Sequence, residues 1–410
     1  MTSWKLAAGL LASVVLPSAA LATDLEVTHW WTSGGEAAAV AEFAKAFDAT
    51  GNKWVDGAIA GSGDTARPIM VARITGGDPM GAFQFNHGRQ AEELIASGLL
   101  RNLDDVAAAQ NWKGVINPPS LLDSCTLDGH IYCVPVNIHA WQWLWLSNQA
   151  FADAGVPVPT NWDEFVAAGP ALKAAGKQPL ALGQQPWQIT GLFNNIFLAV
   201  GGKDLFQKVY QDKDADTAAG PDMAKVFKAA DDARQLAQGS NIQDWNQATN
   251  MVITGAAGGQ SMGDWAQGEF SVAEKVAGKD YTCLPGLGMP DAYITTGGDS
   301  FYFPVLTDPE KTKAQDELAT VMLSPETQVA FNLKKGSMPV RGDIDLTAAN
   351  DCMKKGLEIL AAGRVIKSTD EMLSPDTTTQ LNDLMTSFFT TAMTPEEAQA
   401  SFAELIGNAD

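Results

Sequence analysis

Four segments of this chain place an indole beside groups that pair with hydroxyls. Trp30 and Trp31 stand between His29 and Glu36, Trp141 follows Asn137 and His139, Trp187 follows Gln184 and Gln185, and Trp265 follows Asp264. A flat indole packs on apolar C–H surface, while planar amides, carboxylates and a Lys or Arg bond adjacent hydroxyls. A sugar ring offers both surfaces, C–H faces and a hydroxyl rim, so these segments are candidates for sugar recognition. Local chemistry adds Asp64, on the loop-like stretch Gly61-Ser62-Gly63-Asp64. A lone Trp more often packs a core, and Trp54, Trp112, Trp162 and Trp245 are read as packing. Trp143 and Trp145 alternate with Trp141 and would share one strand face; only Trp141, at the strand's exit, is placed to reach a cleft.

Enzyme signals are weak by comparison. Gly259-Gln260-Ser261-Met262-Gly263 fits the G-x-S-x-G elbow, whose histidine follows the serine in the chain. Here His29, His87, His130 and His139 all precede Ser261. Asp212, Asp214 and Asp216 have calcium-loop spacing, but Thr217 and Met223 stand where that loop needs Gly and a bidentate Glu. A glycosidase needs two carboxylates facing one bond. Glu36, Asp64, Asp264 and Asp299 lie on loop-like segments, with no identifiable acid/base pair among them. No cofactor or metal motif occurs.

Composition narrows the class further. The 410 residues carry a formal charge of -21 with no Lys/Arg run, which argues against a nucleic-acid partner. Lys5, the apolar stretch 6–16, Pro17 and Ala20-Leu21-Ala22 predict a signal peptide over 1–22 and a mature start at Thr23. No Cys follows the cleavage point, so no lipid anchor is expected, and a Gram-negative periplasm is the expected compartment. The four cysteines allow three pairings. Cys125–Cys133 and Cys283–Cys352 are chosen, because Asp128-Gly129 predicts a hairpin that brings the first two thiols together. The small loop should add about 2–3 kcal/mol and the longer one about 4 kcal/mol on a chain-entropy argument. A zinc site lacks any C-x-x-C support.

Elements must then position these groups. Periodicity predicts strands over 25–30, 54–60 and 81–85, alternating with helices over 36–49, 64–74 and 90–97. Thr32 or Ser33 can cap the first helix. A strand over 134–146 leaves this first layer. Residues 162–278 read as mostly helical, a strand returns over 297–304, and helices follow over 308–323 and 325–335. Strand–helix alternation argues an α/β fold with helices on both faces of a sheet.

In order and spacing the chain resembles the family 1 extracellular solute-binding proteins of bacterial ABC sugar importers, most of all the glucose/mannose type. The resemblance rests on His29-Trp-Trp-Thr-Ser-Gly-Gly-Glu36, Gly76-Gly-Asp-Pro-Met-Gly-Ala-Phe-Gln84, Val134-Pro-Val-Asn-Ile-His139, Met262-Gly-Asp-Trp265, Gly298-Asp-Ser300 and Lys335-Gly-Ser-Met-Pro-Val-Arg341. It implies a two-lobed type II periplasmic binding protein fold. The N-terminal lobe would comprise 23–135 plus 297–340 and the C-terminal lobe 136–296 plus 341–410, with crossings near 134–137, 295–298 and 338–342. Periplasmic binding proteins are themselves a standard example of hinge closure, so that motion is carried over from the family.

Position by position, the resemblance implies ligand contacts from Trp30, Trp31, Glu36, Asp264, Trp265, Asp299 and Lys335, with Gln84 near a polar contact. Asp64, Asn137, His139, Gln185 and Trp187 join them from local chemistry. Glucose-type relatives often carry a C-terminal His; this chain has none after His139, and Ser368, Thr369 or Asp370 stand in its place. The implied function is capture of one glucose- or mannose-like monosaccharide by a monomer, without cofactor or metal, and delivery to an ABC permease. A receptor for an oligosaccharide or other polar solute, or a secreted carbohydrate-active enzyme, is the alternative.

Overall fold

The computed structural model describes residues 22–410; the predicted signal segment falls outside the described residues but for Ala22. The first half follows the predicted alternation: strand Asp24–His29, helix Gly34–Asp48, strand Lys53–Ala58, helix Ser62–Thr75 and strand Ala82–Asn86. Ser33 starts the first helix. Its hydroxyl accepts from the Glu36 N–H, and the Glu36 carboxylate accepts from the Ser33 N–H, a reciprocal capping box. Ala39, Val40, Phe43 and Phe47 form the buried face of that helix.

Two sheets organise the chain. The first has the order Lys53–Ala58, Asp24–His29, Ala82–Asn86, Asp299–Tyr302, Cys133–Pro135. Asp24–His29 is parallel to both neighbours, and the returning strand Asp299–Tyr302 is antiparallel to both of its own. The second sheet has the order Tyr281–Pro285, Trp143–Ser147, Ala257–Ser261, Gln178–Leu180. Its strand Trp143–Ser147 is buried on both sides: Trp143 and Trp145 join one apolar cluster, Leu144 and Leu146 another, the period of two that a strand requires. With helices packed around each sheet, the chain makes two α/β lobes of the type II class.

Three expectations are corrected. The strand expected over 134–146 is two strands, Cys133–Pro135 and Trp143–Ser147, because the residues between them cross from one sheet to the other. Trp141 therefore precedes the strand rather than sharing its face with Trp143 and Trp145, whose rings stack at 5.4 Å. The stretch expected to be mostly helical, 162–278, holds the strands Gln178–Leu180 and Ala257–Ser261. All five residues of the latter are buried, so Ala-Gly-Gly-Gln-Ser shows no alternation to read. The helix expected over 90–97 is a 3₁₀ turn, Arg89–Ala91, followed by the short helix Glu92–Ala96.

The chain crosses between the sheets at three places that lie side by side. Ile138 N–H donates to Met338 O at 2.7 Å, and Met338 N–H to Ile138 O at 3.2 Å. On the other side, His139 N–H donates to Gly297 O at 2.7 Å and Val136 N–H to Asp299 O at 3.0 Å. Two further features fix the surroundings. Helix Pro325–Lys335 begins at Ser324, whose hydroxyl accepts from Thr327 N–H, and ends at Gly336 with φ 87°, the left-handed stop that favours glycine. Both disulfides pair as chosen, Cys125–Cys133 and Cys283–Cys352, with Cα–Cα separations of 5.1 and 6.0 Å.

Candidate functional site

Between the two sheets lies a cavity of about 940 Å³, bordered by both lobes and by the crossing segments. Strand Asp24–His29 delivers Trp30 to its wall, and the Trp30 N–H donates to Gln84 Oε1 at 3.0 Å. The Trp30 indole is partly exposed, with the Arg67 guanidinium 5.7 Å from its ring centre. Trp31 turns the other way. It touches the wall, but it is 1 % exposed and packs on Phe331 at 5.1 Å and Phe301 at 5.6 Å. Of the expected aromatic pair, one member offers a face and the other builds the core beneath it.

Asp299 forms the floor and is the most heavily bonded group of the site. Gln84 Nε2 donates to its Oδ1 at 2.7 Å, and Asn137 Nδ2 to its Oδ2 at 2.9 Å. His139 Nε2 lies 2.8 Å from Oδ2, and the Asp299 N–H donates to Asn137 Oδ1 at 2.7 Å. Burial opposes ionisation, but His139, Lys335 and Asn137 outweigh it and hold the carboxyl far below the usual range. Gln84 and Asn137 thus stand behind the wall, against the expectation that they line it: both are fully buried, with side chains committed to Asp299.

Lys335 ends its helix against Glu36, Nζ to Oε1 2.9 Å, and both side chains are buried. Its Nζ is 5.6 Å from the Trp31 ring and 5.9 Å from the Trp265 ring. The neighbouring Lys334 instead pairs with Glu42 at the surface. Asp264 also departs from the expectation and does not line the cavity. Its Oδ2 accepts from Ala140 N–H at 3.0 Å, while its Oδ1 is buried without a partner among the described residues. Burial, together with the nearby Asp299, pushes its carboxyl well above the usual range.

The opposite wall is aromatic. Trp265 lies 4.8 Å from His139 and 4.7 Å from Trp141, and Trp141 lies 5.7 Å from Trp187, the two indole pairs meeting edge to face. Gln185 Oε1 accepts from Trp187 Nε1 at 2.8 Å, so Gln185 fixes the tilt of this ring. Asp64 reaches the cavity at its exposed side, held by Arg67 at 2.6 Å.

Residues 31–329 match the model of the bacterial extracellular solute-binding proteins. The chain belongs to this family. It is 38% identical over 364 residues to a "probable sugar-binding periplasmic protein" of Rhizobium meliloti, covering 88% of this chain and 86% of that one. It is 40% identical to a protein of the same name from Brucella suis, over 82% of this chain and 79% of the relative. Among solved structures it superposes on the solute receptor AcbH, described as having an exclusive preference for β-D-galactopyranose, with TM-score 0.76 at 20% identity over 94% and 98% of the two chains. A chitin oligosaccharide binding protein gives TM-score 0.76 at 21% identity over 95% and 99%. As a member of the family, the chain is a periplasmic binding protein and not an enzyme. No helix among the described residues is long and apolar enough to cross a membrane.

In this family member, several cavity residues lie beyond those read from sequence. Trp245, assigned to packing, borders the cavity 6.5 Å from Trp265. Arg67 does so three positions after Asp64 on one helix, a spacing that could have flagged it. Ser368, Thr369 and Asp370, which the sequence analysis named in place of a C-terminal His, all line the wall. Burial raises the Asp370 carboxyl above its usual value. Two helices contribute whole faces: Asp64, Arg67, Pro68, Val71 and Ala72 from Ser62–Thr75, and Thr378, Thr379, Asn382 and Asp383 from Pro375–Thr390. Their three- and four-residue spacing is visible only once both helices are known to face a common space.

Proposed function

We propose that this chain is the sugar-binding component of an ABC importer, capturing a sugar between its lobes and presenting the closed form to a membrane permease. One observation carries the reading. The partly exposed indoles of Trp30 on one lobe and of Trp141 and Trp187 on the other border a single cavity with the buried Trp265 and with Asp299, His139 and Lys335. Apolar ring faces and fixed hydroxyl partners around one cavity are what a pyranose needs. The names of the 38–40% identical relatives point the same way.

The anchored unit is one hexose, glucose- or mannose-like, with Asp299 at the floor of its site and Glu36, Asp370 and Lys335 as the other charged groups on the cavity wall. Ligand contacts to both lobes favour the closed form by their difference in free energy between the two states. The receptor acts as a monomer in this scheme. Calorimetric titration of ligand-stripped protein with glucose, mannose, galactose and xylose is the test, and failure to bind any sugar at millimolar concentration would overturn it.

A further inference from the structure

One helix, Pro186–Ile196, holds the Trp141 indole on the cavity wall. The six-membered ring of Trp141 lies against the backbone of Gly191. A Cβ built on Gly191 would stand 2.3 Å from Trp141 Cζ3 and 2.9 Å from Cε3, closer than side-chain carbons approach other atoms. Two more residues of the helix complete the contact. Trp187, one turn earlier, meets the ring edge to face at 5.7 Å. Asn195, one turn later, is buried, and its Nδ2 donates to Trp141 O at 2.8 Å and to Ser261 Oγ at 2.9 Å. Residues 187, 191 and 195 are four apart and share one face of the helix.

The backbone at Gly191 does not itself call for glycine. The residue lies inside the helix, and its φ is not in the left-handed region. Glycine weakens a helix interior relative to alanine, so this position gives up helix stability for the space that the indole fills. Trp265 stands on the other side of the ring, also edge to face, at 4.7 Å. Held between Trp187 and Trp265, the ring has no room to tilt in place. A side chain at 191 would drive it off the helix and into the cavity that it borders.

We infer that Gly191 and Asn195 are positioning residues for ligand recognition: acting through Trp141, they set how far the indole wall projects into the cavity and which way its face is turned. Gly191 does so by the absence of a side chain under the ring, Asn195 by fixing the backbone that carries it. The consequence for binding rests on the receptor reading above; the placing of the ring does not.

The test is a double-variant cycle on the ligand-stripped protein with two readouts: calorimetric titration with glucose, mannose, galactose and xylose, and near-ultraviolet circular dichroism of the indole cluster. W141A identifies the part of the spectrum that belongs to Trp141. G191A should lose that part and bind the parent's sugar about ten-fold more weakly, the value of one aromatic contact. In the W141A background, adding G191A should change neither readout. N195L, which leaves the helix backbone as it is, should alter the same part of the spectrum. A parental spectrum in G191A would overturn the role of Gly191, and one in N195L the role of Asn195. An equal loss of affinity from G191A with and without Trp141 would show the glycine acting through another group and would overturn the route proposed. An altered spectrum with parental affinity would overturn the step from ring placement to recognition. If the parent binds none of the four sugars, the receptor reading falls instead, and the spectra alone decide the placing of the ring.

Discussion

The Lys335 ammonium lies 2.9 Å from the Glu36 carboxylate, joining residues 299 positions apart at a site where both side chains are buried. The carboxylate does two jobs, since its other oxygen closes the capping box on Ser33. Removing one partner of such a pair leaves a buried charge unmatched, and the desolvation cost then exceeds the lost attraction. Lys335→Ala should destabilise the protein by about 3 kcal/mol in urea unfolding. The double variant K335M/E36Q should recover much of that loss. A single variant as stable as the parent would show the pair to be solvated.

Trp30 separates binding from folding, because its indole is partly exposed whereas Trp31 is core. Trp30→Ala should weaken sugar affinity by about 10- to 100-fold, from lost contact with a ring face. The melting temperature should move little. Trp31→Ala should instead lower stability by about 3–5 kcal/mol, the cost of deleting a large buried ring. Calorimetry and thermal unfolding on the two variants distinguish these roles.

His87 gives the stability a pH dependence of known sign. Its ring is fully buried, and its Nε2 lies 3.0 Å from the Asp299 carbonyl oxygen. Burial lowers its pKa from 6.5 to about 4, with Asp299 opposing the shift and His139 adding to it. Between those two values the unfolded chain binds more protons than the folded one, so stability falls as pH falls from about 6.5 towards 4. The loss should reach about 3 kcal/mol. His87→Gln, which keeps a donor towards Asp299, should flatten the profile over that window in denaturant titrations at pH 7, 6, 5 and 4.

Asp264 has the opposite sign. Burial and Asp299 raise its carboxyl well above the ordinary value, so the folded state holds the proton longer than the unfolded one. That contribution is present at low pH and is lost as pH rises through the folded value. Asp264→Asn keeps an acceptor for Ala140 N–H and removes the charge next to the unpaired Oδ1. It should raise stability at pH 7 by about 1 kcal/mol and make no difference in acid.

How much of this was legible in the sequence depended on whether the deciding interaction was local. The capping box at Ser33 and Glu36, the Asp128-Gly129 hairpin and the stop at Gly336 act over a few residues, and the chain states them directly. The strand Ala257–Ser261 was not legible, because a strand buried on both faces with small residues has no periodicity. The division of labour between Trp30 and Trp31 was hidden too, since alternate residues leave a strand end in opposite directions and only Phe301 and Phe331, far along the chain, decide which side is core. Gln84 and Asn137 have the right chemistry for a ligand, but their partner is Asp299, more than 160 positions away. Trp245 and Asn382 gave no signal until the helices bearing them were seen to share one space.

Because the three inter-sheet crossings are hydrogen-bonded to one another, any turning of one lobe against the other must pivot close to them. Atoms near a pivot travel least, and Asp299 sits on one of those crossings with its two amides and His139 already in place. On the closure proposed above, its geometry would be nearly the same before and after the jaws meet. In that scheme an arriving guest meets its innermost anchor already assembled, and the remaining selectivity falls to the cavity faces of helices Ser62–Thr75 and Pro375–Thr390.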